Sequence, residues 1–438
     1  MLVSAIIGIL IGIVAGLIPG FGIFTSLIVL YPFLLSLDPI NMLCLYVGLA
    51  SATQFSGSVS AIIYGVPGEQ SSMPAVTEGH KLFRLGQGDL AISGSAIGSF
   101  FGSFLTVLFV YALFPYVENV MYLFNSLSQL IILLMVGMFL ILSGNIIMNI
   151  LMCAFAYFLG SIGTHSYHHE GTFLTFGNAD LTTGIPMFPV VLALFIIPQL
   201  YQAYKIRNTK ISMEQYKFDV LLHFKNFFKH WRSSIRGTVL GFFGGLVPGL
   251  STTLSSTLSY TVEKRIEKDY KPGSMKCLIA SETANNSGSF SMLIPLLILG
   301  IPIVPSEALL YDINASKGFI FGASTFDIQI FYVVVFVLML ANFVSLIMCW
   351  PFAKYVAIIN NVDKRIVNGL ILCVLFSIML YIGSYTWQSL YYLVIFVALL
   401  PVAFLVRNEN TLPLIFVFLV QDRLETLFYR MPMLFGVN

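Results

Sequence analysis

Gly237-Thr-Val-Leu-Gly-Phe-Phe-Gly-Gly-Leu-Val-Pro-Gly-Leu-Ser-Thr-Thr-Leu-Ser-Ser-Thr-Leu-Ser-Tyr-Thr261 is the stretch whose reading decides the fold. It carries no charged side chain. Lys225, Lys229, Arg232 and Arg236 precede it, and Lys264, Arg265, Lys268, Lys271 and Lys276 follow it. Lysine and arginine next to an apolar segment resist translocation and mark the cytoplasmic side. A single crossing would put one of these basic stretches outside. A re-entrant hairpin turning at Pro248-Gly249 keeps both inside. Irregular backbone at membrane depth is tolerated only where protein or a wet cavity satisfies its polar groups, so a hairpin here points to a site. The competing reading is a kinked single crossing that breaks the charge rule.

The rest of the chain fits a bilayer. Of 438 residues, 58% are hydrophobic and 10% charged, whereas soluble domains carry about 25% charged residues. A helix needs roughly 20 apolar residues to cross the hydrocarbon. Candidate segments lie at 3–30, 41–65, 91–117, 121–142, 145–160, 186–204, 237–261, 278–311, 326–350, 366–384, 388–406 and 411–421. The expected fold is all-α and polytopic, with about 10–12 membrane segments, broken helices and re-entrant hairpins. Basic residues make 205–236, 78–90 and 352–365 cytoplasmic, and the stretch 161–185, which lacks Lys and Arg, external. The N-terminal apolar run lacks a basic leader region and a small-residue cleavage site, and is read as part of the mature protein.

Several classes are excluded. A net charge of +2 gives no case for nucleic-acid binding. Cys44, Cys153, Cys277, Cys349 and Cys373 have neither metal-ligand nor redox spacing and read as small core residues. His165, His168, His169 and Glu170 have helical spacing, but without a further ligand they read as a solvated loop. No GxxxxGK[ST] run, Ser-His-Asp set or HExxH motif occurs. The chain is therefore read as a non-enzyme without a cofactor.

The two halves resemble each other. Gly16-Leu-Ile-Pro-Gly20 matches Gly245-Leu-Val-Pro-Gly249, Ser56-Gly57-Ser58 matches Ser287-Gly288-Ser289, and Gly65-Val-Pro67 matches Gly300-Ile-Pro302. The matches keep their order. An odd number of crossings per half would invert the second relative to the first, an architecture frequent in secondary transporters. The division is membrane repeat 1 at 1–204, a basic cytoplasmic linker at 205–236 and membrane repeat 2 at 237–438.

Polar residues inside the apolar segments form two corresponding clusters. Candidate substrate-binding residues are Pro19, Gly20, Gly22, Ser56, Gly57, Ser58, Pro67 and Gly68 in the first. The second contributes Pro248, Gly249, Ser251, Thr252, Asn285, Asn286, Ser287 and Gly288. Helix breaks expose unpaired backbone groups, and a half-helix N-terminus carries about +0.5 elementary charge, which suits a carboxylate without a buried Lys or Arg. Carbonyl ends with Asn and Ser oxygens suit a sodium ion. Glu282, Asn285, Asn286 and Glu69 are the candidate ion-coupling residues, since a membrane carboxylate can bind a cation or carry a proton. Glu282 and Glu69 also admit a plain reading as interfacial helix caps.

At Gly16-Leu-Ile-Pro-Gly-Phe-Gly22, Ser56-Gly-Ser-Val-Ser-Ala-Ile-Ile-Tyr-Gly-Val-Pro-Gly68 and Glu282-Thr-Ala-Asn-Asn-Ser287, leading to Ile294-Pro-Leu-Leu-Ile-Leu-Gly-Ile-Pro302, the sequence resembles the large membrane subunit of tripartite tricarboxylate transporters, the TctA family. The resemblance implies a permease in a bacterial inner membrane. It implies uptake of citrate-like or other small carboxylates, driven by a sodium or proton gradient. It also implies a small membrane partner subunit and an extracytoplasmic solute-binding protein. The sequence departs from the family pattern at Pro248-Gly-Leu-Ser251, at Ser287-Gly-Ser289 and at Glu69-Gln70. A passive channel and a non-transporting membrane scaffold are the alternatives.

Overall fold

The computed structural model describes residues 1–18, 21–113, 126–142, 144–163, 173–177, 179–205, 219–247, 251–322, 328–360 and 364–434. Among these residues every regular element is helical, and extended backbone pairs only in the isolated bridge Gly163–Phe173. The first half runs α1 (Leu2–Leu17), α2 (Ile23–Val29), α3 (Tyr31–Ser36), α4 (Pro39–Tyr64), α5 (Met73–Thr77), α6 (Gly79–Arg84), α7 (Gly88–Leu113), α8 (Ser126–Leu142) and α9 (Ile146–Gly160). It continues with α10 (Ala179–Thr182), α11 (Met187–Val191), a π-helical turn Leu192–Ile196 and α12 (Ile197–Lys205). Then come α13 (Val220–Lys229), α14 (Trp231–Gly245), α15 (Ser251–Ile266), α16 (Met275–Ser291), a second π turn Pro295–Leu299 and α17 (Pro305–Ser316). The chain closes with α18 (Ile328–Asn360), α19 (Lys364–Ile382), α20 (Trp387–Leu405) and α21 (Leu412–Leu434).

Local chemistry sets the helix ends. Asp38 accepts from the Ile40 and Asn41 amides at 3.1 and 3.0 Å, and Pro39 follows at the first helical position, so α4 starts there. It stops at Gly65, whose φ of +67° only glycine adopts freely. Ser274 caps α16 by accepting from the Cys277 amide at 3.3 Å.

Among the described residues four helices are long and apolar enough to cross a membrane: α4, α7, α18 over Ile328–Met348, and α20; shorter apolar helices include α1 and α9. Polarity runs inside out relative to a soluble protein. The most apolar window of α4 is 100% buried, yet that helix carries Ser51, Thr53, Gln54, Ser56, Ser58 and Ser60. In α20 only 28% of the window is buried, and Val394, Val397 and Leu405 lie exposed. Such an apolar rim is stable against lipid and not against water.

Small residues supply the close packing expected where lipid removes the hydrophobic drive between helices. Gly8, Gly12 and Gly16 of α1 sit so tightly on α4 that a Cβ would strike the Leu45, Leu49 and Thr53 carbonyl oxygens. Gly237, Gly241 and Gly245 of α14 meet the Ala280, Ala284 and Gly288 carbonyls of α16 in the same way. Between these pairs, Gly98 and Gly102 bring α7 onto Thr283 of α16.

The segment 237–261 is two helices, α14 and α15, packed on each other through Gly244 and Ser255, with Ser255 Oγ donating to Gly241 O at 3.0 Å. Pro19, Gly20, Pro248 and Gly249 lie outside the described residues, as do the three external histidines. The stretch 205–236 contains α13, whose Phe227 is buried and packs 4.9 Å from Phe101 of α7.

Candidate functional site

The helix breaks converge on a cavity of about 490 Å³. From the first half, Gly22–Thr25, Gln54 and Val66–Ser71 line it, joined by Phe195, Gln199 and Gln202. From the second half come Thr252, Thr253, Met292, Val304, Pro305, Ser306, Asn410 and Leu412. The cavity therefore lies between the two polar clusters. Among its described lining residues there is no Lys or Arg, and Glu69 is the one carboxylate.

The polar groups at the wall are fixed. Thr25 donates to Gln199 Oε1 at 3.0 Å, Ser71 donates to Gln54 Oε1 at 2.9 Å, and the Tyr46 and Ser306 hydroxyls meet at 3.2 Å. Glu69 Oε1 accepts the Ile23 amide at 2.7 Å, so the protein's own carboxylate sits at the start of α2. Gly22 makes room for it, because a Cβ there would come within 2.5 Å of Glu69 Oε1. Gly68 is wedged where a Cβ would lie 2.6 Å from the Gly57 Cα.

Of the predicted substrate-binding residues, the structure puts Gly22, Pro67, Gly68 and Thr252 on the cavity. The other described ones stand behind the wall. Ser56 donates to Gly12 O and Ala52 O, both at 3.0 Å, and pins α4 to α1. Ser287 donates to Thr238 O at 2.8 Å and accepts from Thr106 at 2.6 Å, joining α16 to α14 and α7. Gly57 packs against the Glu69 amide, and Gly288 against Ser255. Ser251 opens α15. Ser58 bridges outward, reaching Gln54 O at 3.3 Å and the Ser72 hydroxyl at 3.4 Å.

The ion-coupling candidates divide. Glu69 faces the cavity. Glu282 lies two turns into α16, is 1% exposed, and accepts from Ser95 of α7 at 2.9 Å. Asn286 donates to Glu282 O at 3.2 Å. Asn285 is fully buried, and neither its amide nitrogen nor its oxygen has a protein partner. A buried amide with no partner costs about 1–3 kcal/mol.

One carboxylate escaped the sequence reading. Glu307 in the first turn of α17 is buried, accepts the Ile303 amide at 2.9 Å through Oε2, and leaves Oε1 without a partner. The available signal was a carboxylate directly after a Pro-containing break, as Glu69 follows Pro67-Gly68. Gln199 and Gln202 reach the cavity from α12 and Asn410 from the loop before α21, where the sequence gives no such cue. Among the described residues no group of His, Cys, Asp and Glu is placed to hold a metal ion.

The profile of the tripartite tricarboxylate transporter TctA family matches residues 2–415. The chain belongs to the TctA family. Members are components of a tricarboxylate transporter that works with partner subunits, and the family is not one of enzymes. The chain is also similar, at 25% identity over 358 residues, to an uncharacterized 52.8 kDa protein in the TAR-I ttuC' 3' region of Agrobacterium vitis. That match covers 80% of this chain and 71% of the relative. No solved structure matches. Membership agrees with the apolar helices, and it makes the cavity between the clusters the candidate transport site.

Proposed function

We propose that the chain is the permease of an uptake system for small tricarboxylate- or dicarboxylate-like anions, driven by a sodium or proton gradient. The observation that carries this reading is the cavity, closed by the breaks of both halves and free of Lys and Arg among its lining residues. A substrate carboxylate there is met by backbone amides, hydroxyls and side-chain amides. Glu69 and Glu282 are the groups that a cation or proton would neutralise as the anion enters. Two like charges in a low-dielectric site repel strongly, so anion and cation binding reinforce each other.

The proposed architecture is two inverted repeats, 1–204 and 237–438, each with a re-entrant hairpin. Gly8, Gly12 and Gly16 correspond to Gly237, Gly241 and Gly245, and their matching contacts with α4 and α16 support this. A small membrane subunit and an extracytoplasmic solute-binding protein are the proposed partners, and a bacterial inner membrane the proposed location.

The test is uptake of labelled citrate into proteoliposomes holding the chain with the small membrane subunit and binding protein encoded beside it. Accumulation against a gradient, dependent on imposed sodium or proton gradients, is expected. Downhill flux indifferent to both gradients would make the protein a channel. Binding of the partners with no flux of any carboxylate tested would make it a scaffold.

A further inference from the structure

α13 lies on the outside of the bundle and exposes apolar and basic side chains together. His223 and Phe227, one turn apart, form its buried side, and the Phe227 and Phe228 rings lie 4.9 and 5.5 Å from that of Phe101 on α7. Leu221 and Phe228, two turns apart and so on one flank, are 83% and 50% exposed. Lys225 and Lys229, one turn apart, are exposed beside them. Asp219 caps the helix, accepting from the Leu222 amide at 3.0 Å.

The apolar flank continues into the rim of the bundle. Trp231, Ile235, Val239 and Phe243 recur every four residues along α14, and all are exposed. On α7 the exposed large apolar side chains begin at Phe104, just past Phe101. α13 therefore sits where the apolar surface starts. At that level stand Lys225, Lys229 and Arg232, with the Arg232 guanidinium 5.6 Å from the Trp231 ring centre. Among the described residues no carboxylate pairs with these three. Water would not favour Leu221, Phe228 and Trp231 exposed together, and hydrocarbon would not take three cations. The headgroup layer suits both, since apolar side chains enter its lower part while Lys and Arg meet phosphates.

We propose that α13 and the first turn of α14 form an interfacial site for anionic phospholipid, on the side of the membrane that the basic residues mark as cytoplasmic. Leu221, Phe228 and Trp231 enter the upper acyl region, and Lys225, Lys229 and Arg232 bind the headgroup phosphates, Arg232 through two N–H groups at once. The occupant is lipid because the flank is continuous with the Ile235, Val239 and Phe243 stripe. Its exposed cations also match the negative surface potential of that leaflet. The inference holds whatever the cavity carries.

The test uses the full chain carrying Trp350→Phe and Trp387→Phe, which leaves Trp231 as its one tryptophan. It is reconstituted in vesicles of phosphatidylcholine and phosphatidylglycerol, with one lipid brominated at a time. Bromine quenches a tryptophan it touches, so quenching reads which lipid sits at Trp231. Phosphatidylglycerol should be favoured by at least about fivefold, the factor for one basic residue near an anionic surface. That preference should vanish when Lys225→Gln, Lys229→Gln and Arg232→Gln are combined, since these exposed changes leave the buried His223 and Phe227 side intact. Equal quenching by the two lipids in the parent, or a preference that survives the triple substitution, would overturn the proposal. So would quenching by neither lipid, or quenching abolished on adding the small membrane subunit encoded beside the chain, since the face would then belong to a protein partner.

Discussion

Truncation of Glu78 should unfasten the loop that starts α16. Glu78 is fully buried at the end of α5 and reaches across to the second half. Oε1 accepts the Tyr270 hydroxyl at 2.6 Å, and Oε2 accepts the Gly273 and Ser274 amides, both at 2.7 Å. Tyr270 is braced in turn by the Tyr260 hydroxyl at 3.0 Å and by Lys264 lying 4.5 Å from its ring centre. Hydrogen bonds to a charged acceptor contribute about 1.5–3 kcal/mol each, and a buried neutral donor left without its acceptor costs about 1–3 kcal/mol. The loop borders water that can re-solvate freed donors, so the lower end applies to Glu78→Ala, about 3 kcal/mol. That equals roughly a hundredfold change in a local opening equilibrium. Hydrogen exchange of peptides spanning 267–277, read by mass spectrometry, should show protection of the Gly273 and Ser274 amides falling by about that factor. Glu78→Gln keeps an acceptor oxygen and should fall by about tenfold. Protection within about threefold of the parent in Glu78→Ala would refute the reasoning, because the three bonds would then contribute nothing to closing the loop.

Other outcomes follow from the same contacts. Burial, then the hydrogen bond to Glu78, pushes the Tyr270 phenol above its ordinary value of 10.0. Its contribution to the closed loop is fully present below that pH and is lost as pH rises through the folded value, and ultraviolet titration should place the ionisation lower in Glu78→Ala. Asn285→Ala and Asn286→Ala should abolish citrate uptake while the protein still inserts, so normal proteoliposome uptake in both would remove them from the site. A Cβ at Gly241 would lie 2.5 Å from Ala284 O and 2.6 Å from its Cα, so Gly241→Ala should destabilise by about 1–3 kcal/mol, seen as a lower denaturation midpoint in detergent. Gly137 has nothing within 4 Å of a Cβ, and Gly137→Ala should leave that midpoint unchanged or slightly raised. The Asp38 carboxyl is held below its ordinary range chiefly by the Asn41 amide. Its cap on α4 should be present at neutral pH and lost as pH falls through the folded value, and Asp38→Ala should cost about 1 kcal/mol at most.

Composition and loop charge determined the helical, lipid-facing class by themselves, because a chain 58% hydrophobic and 10% charged cannot be solvated by water alone. The Gly65-Val-Pro67 and Gly300-Ile-Pro302 breaks also marked segments that reach the cavity wall, since loose backbone in lipid must be answered by something. Sequence could not tell a lining residue from one that holds helices together. Ser56 and Thr252 are both hydroxyls in apolar surroundings. Only the crossing of α1 over α4 turns Ser56 into a clamp on Gly12, and only the approach of α15 to the 65–72 break puts Thr252 on the cavity. The glycines at 8, 12, 16 and 237, 241, 245 stand four residues apart in the sequence, yet their role as contact surfaces depends on which helix faces them. The Ser95–Glu282 bond is likewise a tertiary fact, since it joins residues whose separation in sequence hides that they touch. Local pattern fixes which groups are polar and where the backbone is free. The packing of the two halves decides which of those groups meet each other and which are left to meet a ligand.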